Sequence, residues 1–113
     1  MHELSIVQGI VGIALRRSAE IGAKKVKGIK VKVGEFTSVE PDCLRFYFDA
    51  VTKDSTAEGA ELIIEQIPLV AECTACGSPF TPEGIRFTCP NCGSRQIELT
   101  AGRELYVESI EVE

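Results

Sequence analysis

Between Leu4 and about Ile21 the apolar positions recur with helical spacing. Leu4, Val7, Val11, Ala14 and Leu15 share one face, Ile6, Ile10 and Ile13 widen it, and Ser5, Gln8, Arg16 and Glu20 lie opposite. Gly22 is placed to end this helix in a left-handed conformation. From Val26 to Phe36 the period changes to two. Ile29, Val31 and Val33 face one way, and Lys30 and Lys32 the other, which predicts a half-buried strand. After a turn over Gly34–Val39, Pro41 suits the first turn of a second helix running to about Val51, with Leu44, Phe48, Val51 and Tyr47 inward. Cys43 is expected there as a small buried residue beside Leu44. Gly59 separates this helix from a second strand, expected as one element over Glu61–Glu72.

At Cys73 the pattern breaks. To about Arg95 the chain is rich in Cys, Gly, Pro and Thr, so something other than an apolar core must organise it. Gln96–Leu99 reads as a short strand and Tyr106–Val112 as a closing one. The fold class is α+β: a small two-helix, three-strand unit with a four-cysteine module inserted between two strands that pair with each other. Its boundaries fall at residues 1–70 and 97–113 for the unit and 71–96 for the insert.

Composition changes this picture little. A chain of 113 residues with 44% apolar content folds, but with a modest core. The formal net charge of -5 is more consequential, since nucleic-acid affinity is mainly phosphate neutralisation. Lys24, Lys25, Lys27, Lys30 and Lys32 cluster, and a solvated strand face accounts for them. No nucleic acid partner is expected. Met1-His2-Glu3 lacks a basic signal-peptide region, and the following apolar run is broken by Gln8 and Arg16-Arg17, too short to span a bilayer. The expectation is a cytoplasmic chain without a membrane partner. In that compartment paired cysteines mean metal or redox chemistry more often than disulfides.

Cys73-Thr74-Ala75-Cys76-Gly77 and Cys89-Pro90-Asn91-Cys92-Gly93 are two copies of one motif, 12 residues apart. Two thiolates with two residues between them can hold one ion from a tight turn, and the glycine allows the positive φ where the chain folds back. Two facing knuckles complete a sulfur tetrahedron around Zn(II), a closed structural site with no position left for substrate. An iron–sulfur cluster also fits four cysteines. A dithiol oxidoreductase needs one pair with an attacking thiol, and here both pairs are committed to metal, so no enzyme is expected.

His2, the sole histidine, carries a second candidate chemistry by its position. The Met1 α-amine, the His2 amide nitrogen and His2 Nδ1 can lie in one plane around a metal, with Glu3 supplying a fourth donor. Such ligation suits Ni(II) and Cu(II), with Cu(II) the tighter binder by intrinsic affinity.

The Met1-His2-Glu3-Leu4-Ser5 start, the amphipathic first helix, Val31-Lys32-Val33-Gly34-Glu35 and the two late Cys-x-x-Cys pairs together resemble, over the whole chain, the HypA/HybF hydrogenase nickel-incorporation proteins. The resemblance implies a metallochaperone with a nickel-binding α/β domain and a zinc-ribbon domain. It implies delivery of Ni(II) to the large subunit precursor of [NiFe] hydrogenase with the GTPase HypB, and in some members a part in urease maturation beside urease accessory proteins. It makes His2 the nickel ligand, with Met1, Glu3 and, before Pro41, Glu40 around it, and Cys73, Cys76, Cys89 and Cys92 the zinc ligands. Some members flank the zinc cysteines with histidines, and this chain has none there. The apolar face of the first helix offers a seam for a weak homodimer. The alternative is a zinc-ribbon adaptor for protein or nucleic acid without nickel function. A nucleic-acid adaptor would carry a basic ribbon with exposed aromatics, whereas here only Arg86 and Arg95 stand against Glu83.

Overall fold

A computed structural model describes residues 3–82 and 87–113. The elements are α1 (Glu3–Glu20), β1 (Val26–Gly34), a short 3₁₀ turn (Glu35–Thr37), α2 (Pro41–Thr52), β2 (Glu61–Ile67), β3 (Val70–Cys73), β4 (Pro79–Phe80), β5 (Ile97–Ala101) and β6 (Leu105–Val112). Two three-stranded sheets result, in the orders β2-β1-β6 and β4-β3-β5.

The first sheet carries both helices. β1 pairs parallel with β2 and antiparallel with β6, so the strand that follows the insert closes the sheet, as the alternation of Tyr106–Val112 predicts. Val7, Ile10, Val11 and Ala14 of α1, Ile29, Val31 and Val33 of β1, and Leu44 and Phe48 of α2 form one buried cluster. The inward periodicity of α1 holds at these positions but not at its margins. Leu4 and Ile13 are exposed, because a helix packed on one sheet and one neighbouring helix buries a narrower stripe than its apolar residues span. α1 stops where Gly22 takes φ +71°, with Ala23 N–H returning to Ser18 O at 2.9 Å. Cys43 is exposed, contrary to its expected burial. It points outward on α2 while its neighbour Leu44 takes the core position.

On the outer face Lys32 lies between Glu65 (3.4 Å) and Glu108 (3.7 Å), and Lys30 meets Glu108 at 3.5 Å. Glu108, Tyr106 and Glu65 raise the Lys32 pKa. The lysines singled out within the strand are thus engaged with carboxylates of their own sheet, as a solvated face requires.

The run Glu61–Glu72 is not one strand. β2 ends at Ile67, and after Pro68 the chain enters the other sheet as β3. Proline cannot donate to a ladder, so it divides the apolar run in two. A second difference follows at residue 97. Ile97–Leu99 was expected with the helix-bearing unit, but β5 pairs with β3, Cys73 opposite Ile97 and Ala71 opposite Leu99. The strands flanking the knuckles do pair with each other, and the sheet they make belongs to the cysteine module.

The sheets join at a close backbone crossing. Gly34 N–H donates to Glu104 O (2.6 Å), and Phe36 N–H to Gly102 O (2.7 Å). A Cβ on Gly34 would strike the Gly102 carbonyl group and come within 2.6 Å of Arg103 N. Phe36 and Phe87 add an edge-to-face contact across the junction, with centroids 6.4 Å apart. Gly34→Ala should therefore destabilise the protein by about 2–3 kcal/mol, since the obstacle is backbone and cannot swing aside. Its urea midpoint, compared with that of Gly59→Ala, where a Cβ meets nothing but φ is positive, separates crowding from left-handed strain.

Both helices begin at this junction. Glu113 N–H donates to Lys25 O (2.9 Å) and Val26 N–H to Thr56 O (2.9 Å), which ties the exits of α1 and α2 to the start of β1. α1, about 27 Å long, and β1, about 30 Å, then run in opposite senses, so the first turns of α1 and α2 lie toward the end of β1. β2 and β6 hand the chain to and from the cysteine module at that same end, with Ile67 opposite Gly34 and Leu105 opposite Val33.

Candidate metal centre

The two knuckles fold identically at the backbone. In the first, Gly77 N–H donates to Cys73 O (2.8 Å) and Cys73 N–H to Ser78 O (3.0 Å). In the second, Gly93 N–H donates to Cys89 O (2.8 Å) and Cys89 N–H to Ser94 O (2.9 Å). Gly77 and Gly93 adopt φ +77° and +75°, so each glycine supplies the left-handed residue that the reversal demands.

These turns bring four sulfurs together. The Sγ atoms of Cys73, Cys76, Cys89 and Cys92 lie within 4.8 Å of one another, with Cys73–Cys92 at 3.5 Å and Cys76–Cys89 at 3.7 Å. A tetrahedron with metal–sulfur bonds of about 2.3 Å has edges of about 3.8 Å, so the spacing fits a single ion. An iron–sulfur cluster distributes its cysteines over several irons and would hold them further apart. Cys73 and Cys89 are buried, whereas Cys76 and Cys92 are exposed.

The electrostatics call for a cation. The Ser78 side chain, the Ser78 backbone N–H and Asn91 favour the Cys76 thiolate and lower its pKa to about 6. At Cys92 the Ser94 N–H acts in the same direction. Cys73, desolvation, Cys76 and Cys89 together outweigh it and push the thiol up to about 12. Sulfurs this close cannot all carry charge unless a dication neutralises them.

Sequence reasoning did not single out Ser78 or Asn91. Asn91 Nδ2 reaches from the second knuckle to Cys76 Sγ (3.7 Å) and Ser78 Oγ (3.3 Å) of the first. The one visible signal was a polar residue, Asn91, where the first knuckle has Ala75.

The other candidate ligands are separate from this cluster. Met1 and His2 lie outside the described residues. Glu3 opens α1 and is partly buried. Glu40 caps α2 with extended backbone, its carbonyl accepting Leu44 N–H (3.1 Å), and its exposed side chain makes no capping bond. Glu3 and Glu40 therefore mark the ends of the two helices that lie toward the inter-sheet junction. Among the described residues, the four cysteines are the group of His, Cys, Asp and Glu side chains close enough to hold a metal, and no helix is long and apolar enough to cross a membrane.

Comparison with known proteins agrees over the full length. Residues 1–112 match the family described as hydrogenase/urease nickel incorporation, metallochaperone, HypA. The chain is 40% identical over 114 residues to the hydrogenase maturation factor HypA of Caldanaerobacter subterraneus subsp. tengcongensis, covering 100% of both. It is 42% identical over 113 residues to that of Acidithiobacillus ferrooxidans, again covering 100% of both. Two solution structures share the fold. One of a HypA protein has a TM-score of 0.75 at 24% identity, covering 100% of this chain and 97% of the other. That of the Ni metallochaperone HypA from Helicobacter pylori has a TM-score of 0.68 at 24% identity, covering 99% and 97%. With the four-sulfur cluster, the two-helix α+β fold and a match from the first residue almost to the last, this chain belongs to the HypA family of hydrogenase maturation factors and nickel metallochaperones.

Proposed function

We propose that the protein binds Ni(II) at its N-terminus and delivers it during maturation of [NiFe] hydrogenase, with a structural Zn(II) held by Cys73, Cys76, Cys89 and Cys92. The observation that carries this reading is the Met1-His2-Glu3 start on a chain that matches a nickel-incorporation family end to end. The Met1 amine, the His2 amide and imidazole nitrogens and Glu3 form the nickel chelate, with Glu40 as an outer carboxylate. Zinc is the resident ion because four thiolates at a spacing suited to one tetrahedral ion select a soft, redox-inert metal.

The reaction is transfer and not catalysis. A terminal chelate is open to solvent, so a recipient's donors can replace its ligands one at a time. The position of Glu3 and Glu40 supports this, because the ribbon joins the helical domain at the same end. A partner docked on the ribbon would sit beside the cargo. On this reading the helix-bearing domain and the inserted ribbon are distinct domains, and the chain works in the cytoplasm with HypB and the hydrogenase large subunit precursor. Urease accessory proteins are further partners in cells that make urease. Weak self-association uses the exposed margin of α1, and nucleic acid has no part.

The test is a Ni(II) titration of protein with an unmodified α-amine beside a version extended by Gly-Ser ahead of Met1. Extension should weaken nickel binding by about tenfold or more, since it converts the terminal amine into an amide, while zinc content stays equal. Equal nickel affinity in the two would remove the terminal chelate and with it the cargo reading.

A further inference from the structure

The two knuckles match in backbone, yet their exposed sulfurs have different surroundings. Asn91 is the third residue of the second knuckle, and its amide Nδ2 spans the gap to Cys76 Sγ at 3.7 Å and Ser78 Oγ at 3.3 Å. The Ser78 hydroxyl and backbone N–H both serve the same sulfur. The equivalent position of the first knuckle is Ala75, whose methyl group cannot return the contact toward Cys92. Ser94, the counterpart of Ser78, offers Cys92 its backbone N–H, but its hydroxyl accepts from Gln96 N–H at 3.0 Å. The polar hydrogens around the pair are therefore unequally divided, although sequence and fold make the knuckles near-copies.

Hydrogen bonds to a metal-bound thiolate withdraw charge from sulfur and hold it in place. The sulfur with fewer donors is the better nucleophile and the less restrained ligand. Cys73 and Cys89 are buried, so only Cys76 and Cys92 are open to attack from solution. We propose that Asn91 is a positioning residue of the metal site, clasping Cys76 from the opposite knuckle and leaving Cys92 as the sulfur that an electrophile attacks first. This rests on the reading that the four sulfurs share one zinc ion. It adds an order of opening to a site that the ligand set alone would leave symmetric.

The zinc-loaded full chain is treated with limiting iodoacetamide, alkylated cysteines are located by peptide mass mapping, and released zinc is followed with a coloured chelator. In the parent protein Cys92 should react about tenfold faster than Cys76, the effect expected of roughly one charge-assisted hydrogen bond. In Asn91→Ala the Cys76 rate should rise until the two are similar. In Ala75→Asn, which installs the mirror-image clasp at an exposed position, the Cys92 rate should fall. The Co(II)-substituted proteins give a second readout, because the thiolate-to-metal charge-transfer band should shift in both variants. Equal rates in the parent, earlier attack on Cys76, or a ratio unmoved by either substitution overturns the proposal. If Asn91→Ala does not fold, Ala75→Asn decides alone. A parent that carries no zinc and whose four paired cysteines react together overturns the metal reading itself, and that outcome is distinguishable from the others.

Discussion

His2→Ala should lower nickel affinity by about a hundredfold or more while leaving one zinc per chain, and cells carrying it should accumulate unprocessed hydrogenase large subunit. Imidazole is the one strong neutral nitrogen donor among the chain's side chains, since His2 is the sole histidine. Without it the α-amine and carboxylates remain, a set that nickel binds weakly at neutral pH. The imidazole must shed its proton to bind, so parent affinity should fall on acidification, and the His2→Ala protein should lose most of that dependence. Glu40→Ala is the informative companion. An exposed carboxylate outside the chelate should cost less than about tenfold. Isothermal titration with Ni(II), with zinc measured in the same samples, checks the set. If His2→Ala bound nickel like the parent, the terminal chelate would be wrong, whatever the family.

The second large effect belongs to the ribbon. Cys89→Ala removes a buried sulfur from a site whose metal affinity is on the order of 10 kcal/mol, and β4-β3-β5 has little apolar core to replace it. The variant should hold no zinc and lose ribbon order, while the β2-β1-β6 sheet and both helices persist on their own buried cluster. Helical circular dichroism should be nearly unchanged, and limited proteolysis should cut between Pro68 and Gly102. Zinc retention in the parent should also depend on pH, with a definite sign. In the metal-free cluster the Cys92 thiol, at about 12, keeps its proton at neutral pH, and zinc must displace it, so affinity rises with pH. Below about 6 the Cys76 sulfur takes a proton as well, and the loss of affinity should steepen. A flat profile between pH 5 and pH 8 would mean that protons do not compete for these sulfurs.

The sequence by itself determined whatever depends on neighbours along the chain. The apolar period of α1 fixed the helix and its inward residues Val7, Val11 and Ala14, and Gly22 fixed its end. The alternation of Ile29, Val31 and Val33 fixed β1, and Pro41 the start of α2. The Cys-x-x-Cys-Gly repeats fixed both knuckles, because two thiolates and a left-handed glycine leave a short turn few other shapes. The family was legible for the same reason, since its marks are short local motifs. Tertiary structure alone decided which surfaces meet. The run Glu61–Glu72 is uniformly strand-like in composition, and only its partners divide it, with β2 joining β1 and β3 joining β5. Cys43 lies on a helix with core on one side, and whether it faced that core depended on the rotation of α2, which Leu44 and Phe48 set by packing. The Gly34–Gly102 crossing and the reach of Asn91 to Cys76 join segments far apart in the chain. No local periodicity encodes such contacts, because they exist only once two independently formed elements have docked.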